Sequence, residues 1–297
     1  MAGKKASVWL WGCGAGCGLL VLLLVVMGAA AGFYFKRLTS GFDQAVKDAS
    51  SLEQRHGAPE TFTPSADGSI PAERMEAFLS VREAMGPVRV TLAEAFRKLP
   101  STPAQIQDLE KKSGLDKFWT ILSVGRVAVD FGSGMGEFFR ARSQALLDAE
   151  MGMGEYGYIY AMAYWSWLGR SSSGGPGPSP ATVPSFGEGG AEGGAEFHLL
   201  GAGVQARLRG QLLQMLRNQL AALPDGADPE WRDSLAAEVA ALEEDPSRIP
   251  WSGAIPGPLA ASLEPYRERL LRTYDPRLDP FELASPRQRH AGGYSAE

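Results

Sequence analysis

The chain has 297 residues, of which 44% are hydrophobic, 21% charged and 9% aromatic, a composition that builds a core and excludes a chain disordered throughout. Its formal charge of −5 hides an asymmetry: residues 1–37 hold four basic residues and no acid, so the remainder carries 25 basic against 34 acidic residues. That acidic balance excludes nucleic acid as an expected partner, because phosphate binding needs a cationic surface. Cys13 and Cys17, the two cysteines, both precede residue 20, which leaves no disulfide, cysteine zinc site or thiol nucleophile for the rest of the chain.

From Val8 to Phe35 there are 28 residues without a charge, bracketed by Lys4–Lys5 and Lys36–Arg37. A bilayer core of about 30 Å is crossed by about 20 helical residues, so this stretch has the length of a transmembrane helix. Trp9 and Trp11 at one end and Phe33, Tyr34 and Phe35 at the other fall where the two interfaces would lie. The alternative is a cleaved signal peptide, with Leu19–Met27 as its apolar centre and Ala29-Ala30-Ala31 as its cleavage site, which would give a secreted or periplasmic product. The basic tip followed by the apolar run points to a signal anchor, with the amino terminus cytoplasmic and the C-terminal domain extracytoplasmic. Gly14, Gly18, Val21, Val25, Gly28 and Gly32 recur at spacings of 3 and 4 and form one narrow stripe. Small side chains there would let a second copy of the helix approach closely, so membrane lipid and a homodimer through this helix are expected partners.

Beyond the anchor the hydrophobic period is helical almost everywhere. Thr39 or Ser40 opens a helix that ends near His56, before Gly57 and Pro59. An Asp67-Gly68 turn leads to Pro71, which suits the start of a helix whose buried face carries Met75, Phe78, Leu79 and Met85. Pro87 interrupts it, and Val88, Leu92, Phe96 and Leu99 mark the next. Over 104–150, Leu115, Phe118, Trp119, Leu122, Val127, Phe131, Met135 and Phe139 fit a buried helical face. Gly125, Gly132, Gly134 and Gly136 each weaken a helix by about 1 kcal/mol relative to alanine, so a kinked helix or two helices are expected. The alternation Val127, Val129, Phe131 offers a short strand instead.

A helix from about Gly154 to Leu168 sets Tyr156, Tyr160, Tyr164 and Trp167 on one face and Tyr158, Met162 and Trp165 on another, and so is central to the core. The first four side chains could also line an apolar groove for a ligand. Thirteen of the 26 residues from Gly169 to Gly194 are glycine or proline, the composition of a disordered insertion. Phe197, Leu200, Val204, Leu208, Leu212, Leu216 and Leu220 then form an amphipathic helix. Asp228 and Pro229 start another with Trp231, Leu235, Val239 and Leu242 on its apolar face. The last helix carries Leu259, Leu263, Tyr266, Leu270 and Tyr274 and is bent or restarted at Pro265, and the Asp-Pro pairs at 275–276 and 279–280 are extended or turning.

Candidate chemistry is sparse. Gly152, Gly154 and Gly157 satisfy G-x-G-x-x-G, and residues 197–206 imitate it, but no strand–helix–strand rhythm supports a nucleotide site. His56, His198 and His290 are scattered, Asp275, Asp279 and Glu282 lack the spacing of a calcium loop and suit turn or cap roles, and Ser133 lies outside a nucleophile elbow. No cofactor or metal is expected. Glu155, ahead of the aromatic helix, is the first carboxylate to consider for acid–base work, against a plain first-turn role favoured by the helix dipole. His198 reads as structural.

The expectation is an all-α protein: a cytoplasmic tip at 1–7, a transmembrane helix at 8–35, helical parts at 38–168 and 196–284, a Gly/Pro/Ser-rich insertion at 169–195 and a tail from 285. The expected function is a non-enzymatic interaction or structural role in the cell envelope with an envelope protein as partner. A carboxylate-dependent hydrolase and a carrier of an apolar ligand are the alternatives.

Overall fold

A computed structural model describes residues 43–98, 114–170 and 193–286, with side chains from 130 onward in the second stretch and from 206 onward in the third. The segment 8–35, with its glycine stripe, and most of the Gly/Pro/Ser-rich insertion lie outside the described residues, as does the tail from 287. Among the described residues there is no strand, and no helix is long and apolar enough to cross a membrane.

Helix α1 covers 43–56 and stops at Gly57, whose φ is +84°. A single 3-10 turn, Pro59–Thr61, leads to the Asp67-Gly68 turn. Gly68 has φ +73°, and an added Cβ would come within 2.6 Å of the Trp231 ring, so both backbone and space require glycine there. Pro71 is the N-cap of α2, Ala72–Ala84, and α3 follows at Gly86–Lys98, with Pro87 in its first turn.

Helix α4, Gly114–Asp148, is one continuous helix of 35 residues. Both the expected division into two helices and the strand alternative at Val127–Phe131 give way to it. The reason is packing. The helix lies along α3. Gly132, Gly134 and Gly136 are buried, and a Cβ on Gly134 would sit 3.6 Å from Leu92 of α3. With Phe131, Phe138, Phe139 and Leu146 all buried, the apolar burial outweighs a propensity loss of about 1 kcal/mol per glycine.

Helix α5, Met153–Tyr160, continues into a π-helical segment, Ala161–Trp167, which the periodicity did not reveal. It packs against α2, the 59–61 turn and α6, Gly193–Ala221. Two of the three glycines of the nucleotide-like pattern owe their place to packing around the start of α5. A Cβ on Gly154 would collide with the Pro59 carbonyl oxygen and come within 2.9 Å of Phe62, and one on Gly152 would meet the His56 side chain at 2.9 Å.

Helix α7, Pro229–Glu244, is capped as expected, the Glu230 amide donating to Asp228 Oδ1 at 3.0 Å. The break expected at Pro265 is a 3-10 turn, Glu264–Tyr266, between α8, Gly257–Leu263, and α9, Arg267–Thr273. The pair Asp279-Pro280 opens a helical turn, α10, Asp279–Glu282, instead of an extended stretch. Four residues would not hold a helix alone. Phe281 holds this one, meeting Phe96 of α3 and Phe131 of α4 at ring distances of 5.9 and 6.1 Å.

Candidate functional site

The stripe Tyr156, Tyr160, Tyr164 repeats every four residues, which puts the three rings one above another on α5. All three are fully buried. Each hydroxyl is committed. Tyr156 donates to Glu282 Oε2 at 3.1 Å, Tyr160 to Asp279 Oδ1 at 2.6 Å, and Tyr164 to the Leu270 carbonyl at 3.1 Å. The rings are filled in by Phe78, 5.1 Å from Tyr156, and by Tyr274, stacked at 5.0 Å on Tyr164.

Trp167 does not share that stripe. The wider π turns carry Trp165 to the side of Tyr160, where its Nε1 donates to the same Asp279 Oδ1 at 3.2 Å. Trp167 lies half-buried under the Arg267 guanidinium, 4.1 Å from its ring centroid. A face assigned at 100° per residue therefore fails at its last member, because a π turn changes the period.

Three arginines converge on α10 from three helices. Arg82 of α2 places Nη1 3.3 Å from Glu282 Oε2 and 3.0 Å from the Tyr156 oxygen, donates through Nη2 to the Thr273 carbonyl, and lies over the faces of Tyr160 and Tyr164 at 5.1 and 4.9 Å. Arg89 of α3 brings Nε 3.0 Å from Glu282 Oε1. Arg142 of α4 donates to the carbonyls of Phe281, Glu282 and Ala284 at 3.2, 2.5 and 2.8 Å, and so satisfies the carbonyl end of the short helix. Glu282 is fully buried and Asp279 is 2% exposed.

Burial pushes the Glu282 carboxyl up, but Arg82, Arg89 and Arg142 together outweigh it and hold the group below the ordinary glutamate range. For Asp279 burial dominates, and its pKa is raised despite the bonds from Tyr160 and Trp165. Burial also dominates at Arg142, whose pKa is lowered, whereas at Arg82 burial is the largest single effect but Glu282 and the three tyrosine oxygens together outweigh it and raise the pKa well above normal. Two carboxyls pushed in opposite directions resemble an acid–base pair. Here both are enclosed by tyrosines, a tryptophan and arginines, and no substrate reaches them while α10 is seated.

Glu155 occupies the first turn of α5 in a two-point pair with Arg74, at 2.6 and 2.5 Å. Asp275 takes the expected turn role, accepting from the Arg277 amide at 3.0 Å. The His198 side chain lies outside the described residues, and among those residues no three metal-binding side chains gather.

An open cavity of about 220 Å³ lies on the other side of α5. Its wall comes from α1 (Ala49, Leu52), α5 (Met153, Gly157), α6 (Leu208, Met215) and the chain from Leu283 to Pro286, with Arg142 beside it. Tyr156, Tyr160, Tyr164 and Trp167 are not part of that wall. Sequence reasoning missed Arg82, Arg89 and Arg142, and the turn or cap role expected of Asp279 and Glu282 gives way to burial among tyrosines, a tryptophan and arginines. One signal was present, since Arg82 and Arg89 continue the apolar stripe Met75, Phe78, Met85, Leu92 at helical spacing. Compared with family models, curated proteins and solved structures, the chain matches none.

Proposed function

We propose that the chain is a membrane-anchored envelope protein whose helical domain has a non-enzymatic interaction role. Residues 8–35 would anchor it with the domain extracytoplasmic, and copies would associate through the stripe Gly14, Gly18, Val21, Val25, Gly28 and Gly32. The observation that carries the reading is the closed network around Glu282. The buried groups best suited to acid–base chemistry hold α10 to α2, α3 and α5 and are shielded from solvent. Such groups give rigidity and a fixed surface, as an interaction domain needs.

In cells, the full chain is expected to stay in the membrane fraction through alkaline extraction, and a soluble product beginning at Gly32 would overturn the anchor. A photoreactive phenylalanine analogue at Val90 or Leu271, large apolar side chains that are 59% and 41% exposed, is expected to give a discrete protein adduct. Free chain at both positions would overturn the interaction role.

A further inference from the structure

The cavity beside Arg142 has a chemistry that the closed network does not explain. At about 220 Å³ it exceeds the apolar cavity of about 150 Å³ that accepts a benzene-sized ligand. Leu52, Met153, Leu208 and Met215 give it an apolar, adaptable wall. Arg142 is 2% exposed, and three of its five N–H donors go to backbone carbonyls. Its Nε is buried with no hydrogen-bond partner, and among the described residues no carboxylate oxygen lies within 4 Å of its guanidinium nitrogens. The interior behind it holds three guanidinium groups, Arg82, Arg89 and Arg142, against two carboxyls, so it carries an excess of positive charge. In a low-dielectric setting that excess attracts an anion more strongly than it would in water. Arg207 adds a second cation at the solvent side. Glu53 and Glu60 also border the cavity. Glu60 is exposed, as Arg207 is, so water and salt screen both; it accepts from Gln211 at 3.5 Å, while Glu53, half-buried, has an interaction partner of its own.

We infer that this cavity binds a single-chain anionic amphiphile, a medium-chain carboxylate, with its head between Arg142 and Arg207 and its chain along Leu52, Met153, Leu208 and Met215. A ligand of this kind goes beyond the anchored interaction role and does not depend on it.

The test uses the full chain in lipid nanodiscs and three photoreactive probes sharing a ten-carbon chain: a carboxylic acid, an alcohol and a primary amine. The acid is expected to label peptides containing Leu208–Met215 and Leu283–Pro286 about tenfold more than the amine. Arg207→Glu, at an exposed position, should reduce that labelling about fivefold with an unchanged melting temperature, and Ala49→Phe should reduce it by filling space. Adducts confined to residues 8–35, equal labelling by the three probes, or labelling that persists in Arg207→Glu would each overturn the inference. None of these outcomes bears on the anchor. If Ala49→Phe fails to fold, Arg207→Glu decides alone.

Discussion

Two parts of the core are sealed by different means. Where α6 packs on α7 the seal is largely apolar: Leu212, Leu216, Leu235 and Leu242 are each 2% exposed or less, with Gln219 and Glu238 as the buried polar side chains. Around α10 it is largely ionic, with Glu282, Asp279, Arg82, Arg89 and Arg142 enclosed among three tyrosines. An apolar seal degrades by the volume removed. An ionic one fails when one member goes, because the partners remain charged and out of reach of water.

The largest effect should therefore come from Glu282→Ala, which leaves Arg82 and Arg89 buried without a counter-charge and should cost about 3 to 5 kcal/mol. The near-ultraviolet circular dichroism of the tyrosine cluster in a urea titration would report it. Leu235→Ala in the apolar part should cost about 3 kcal/mol, the transfer and cavity terms of one leucine. A larger loss at Leu235 than at Glu282 would remove the contrast. Next comes Tyr160→Phe. It deletes a 2.6 Å bond to Asp279 and leaves Trp165 as the remaining donor to that oxygen, at a cost of about 1.5 kcal/mol measured the same way.

The same contrast explains what the sequence revealed. Helix α7 was legible because its signals are local: Asp228 and Pro229 at the start, then Leu235, Val239 and Leu242 at helical spacing, all buried. The 3-10 break at Pro265 was legible for the same reason. Glu282 was not. Its burial depends on arginines about 200, 193 and 140 positions away in the chain, and no local pattern distinguishes it from a surface glutamate. Asp275 and Asp279 both precede a proline, yet one caps a turn and the other is buried under Tyr160 and Trp165. The π segment was hidden because the aromatic residues of 156–167 are apolar at every phase, so no period could be read from them. At the cavity, the apolar wall follows from the α6 pattern, whereas the position of Arg142 required the path of α4 past α10.

The smallest expected effect sharpens the contrast most. Asp279 has a folded pKa above its ordinary 3.8, so its stabilising contribution is complete below about 3.8 and is lost as pH rises through the folded value. Glu282 has the opposite sign. Its folded pKa is below its ordinary 4.5, so its contribution is present above about 4.5 and is lost as pH falls through the folded value. Acidification from neutrality should first stabilise the fold as Asp279 takes up its proton, then destabilise it as Glu282 is neutralised between Arg82 and Arg89. Asp279→Asn should change stability at pH 7 by less than about 1 kcal/mol, because the amide oxygen still accepts from Tyr160 and Trp165 and no charge is desolvated. It should flatten the rise on mild acidification and leave the loss at lower pH intact. Melting temperature against pH for the two proteins checks this. A rise that survives in Asp279→Asn would mean that another group takes up the proton, and that the ionic seal is held by Glu282 and its arginines without titration at Asp279.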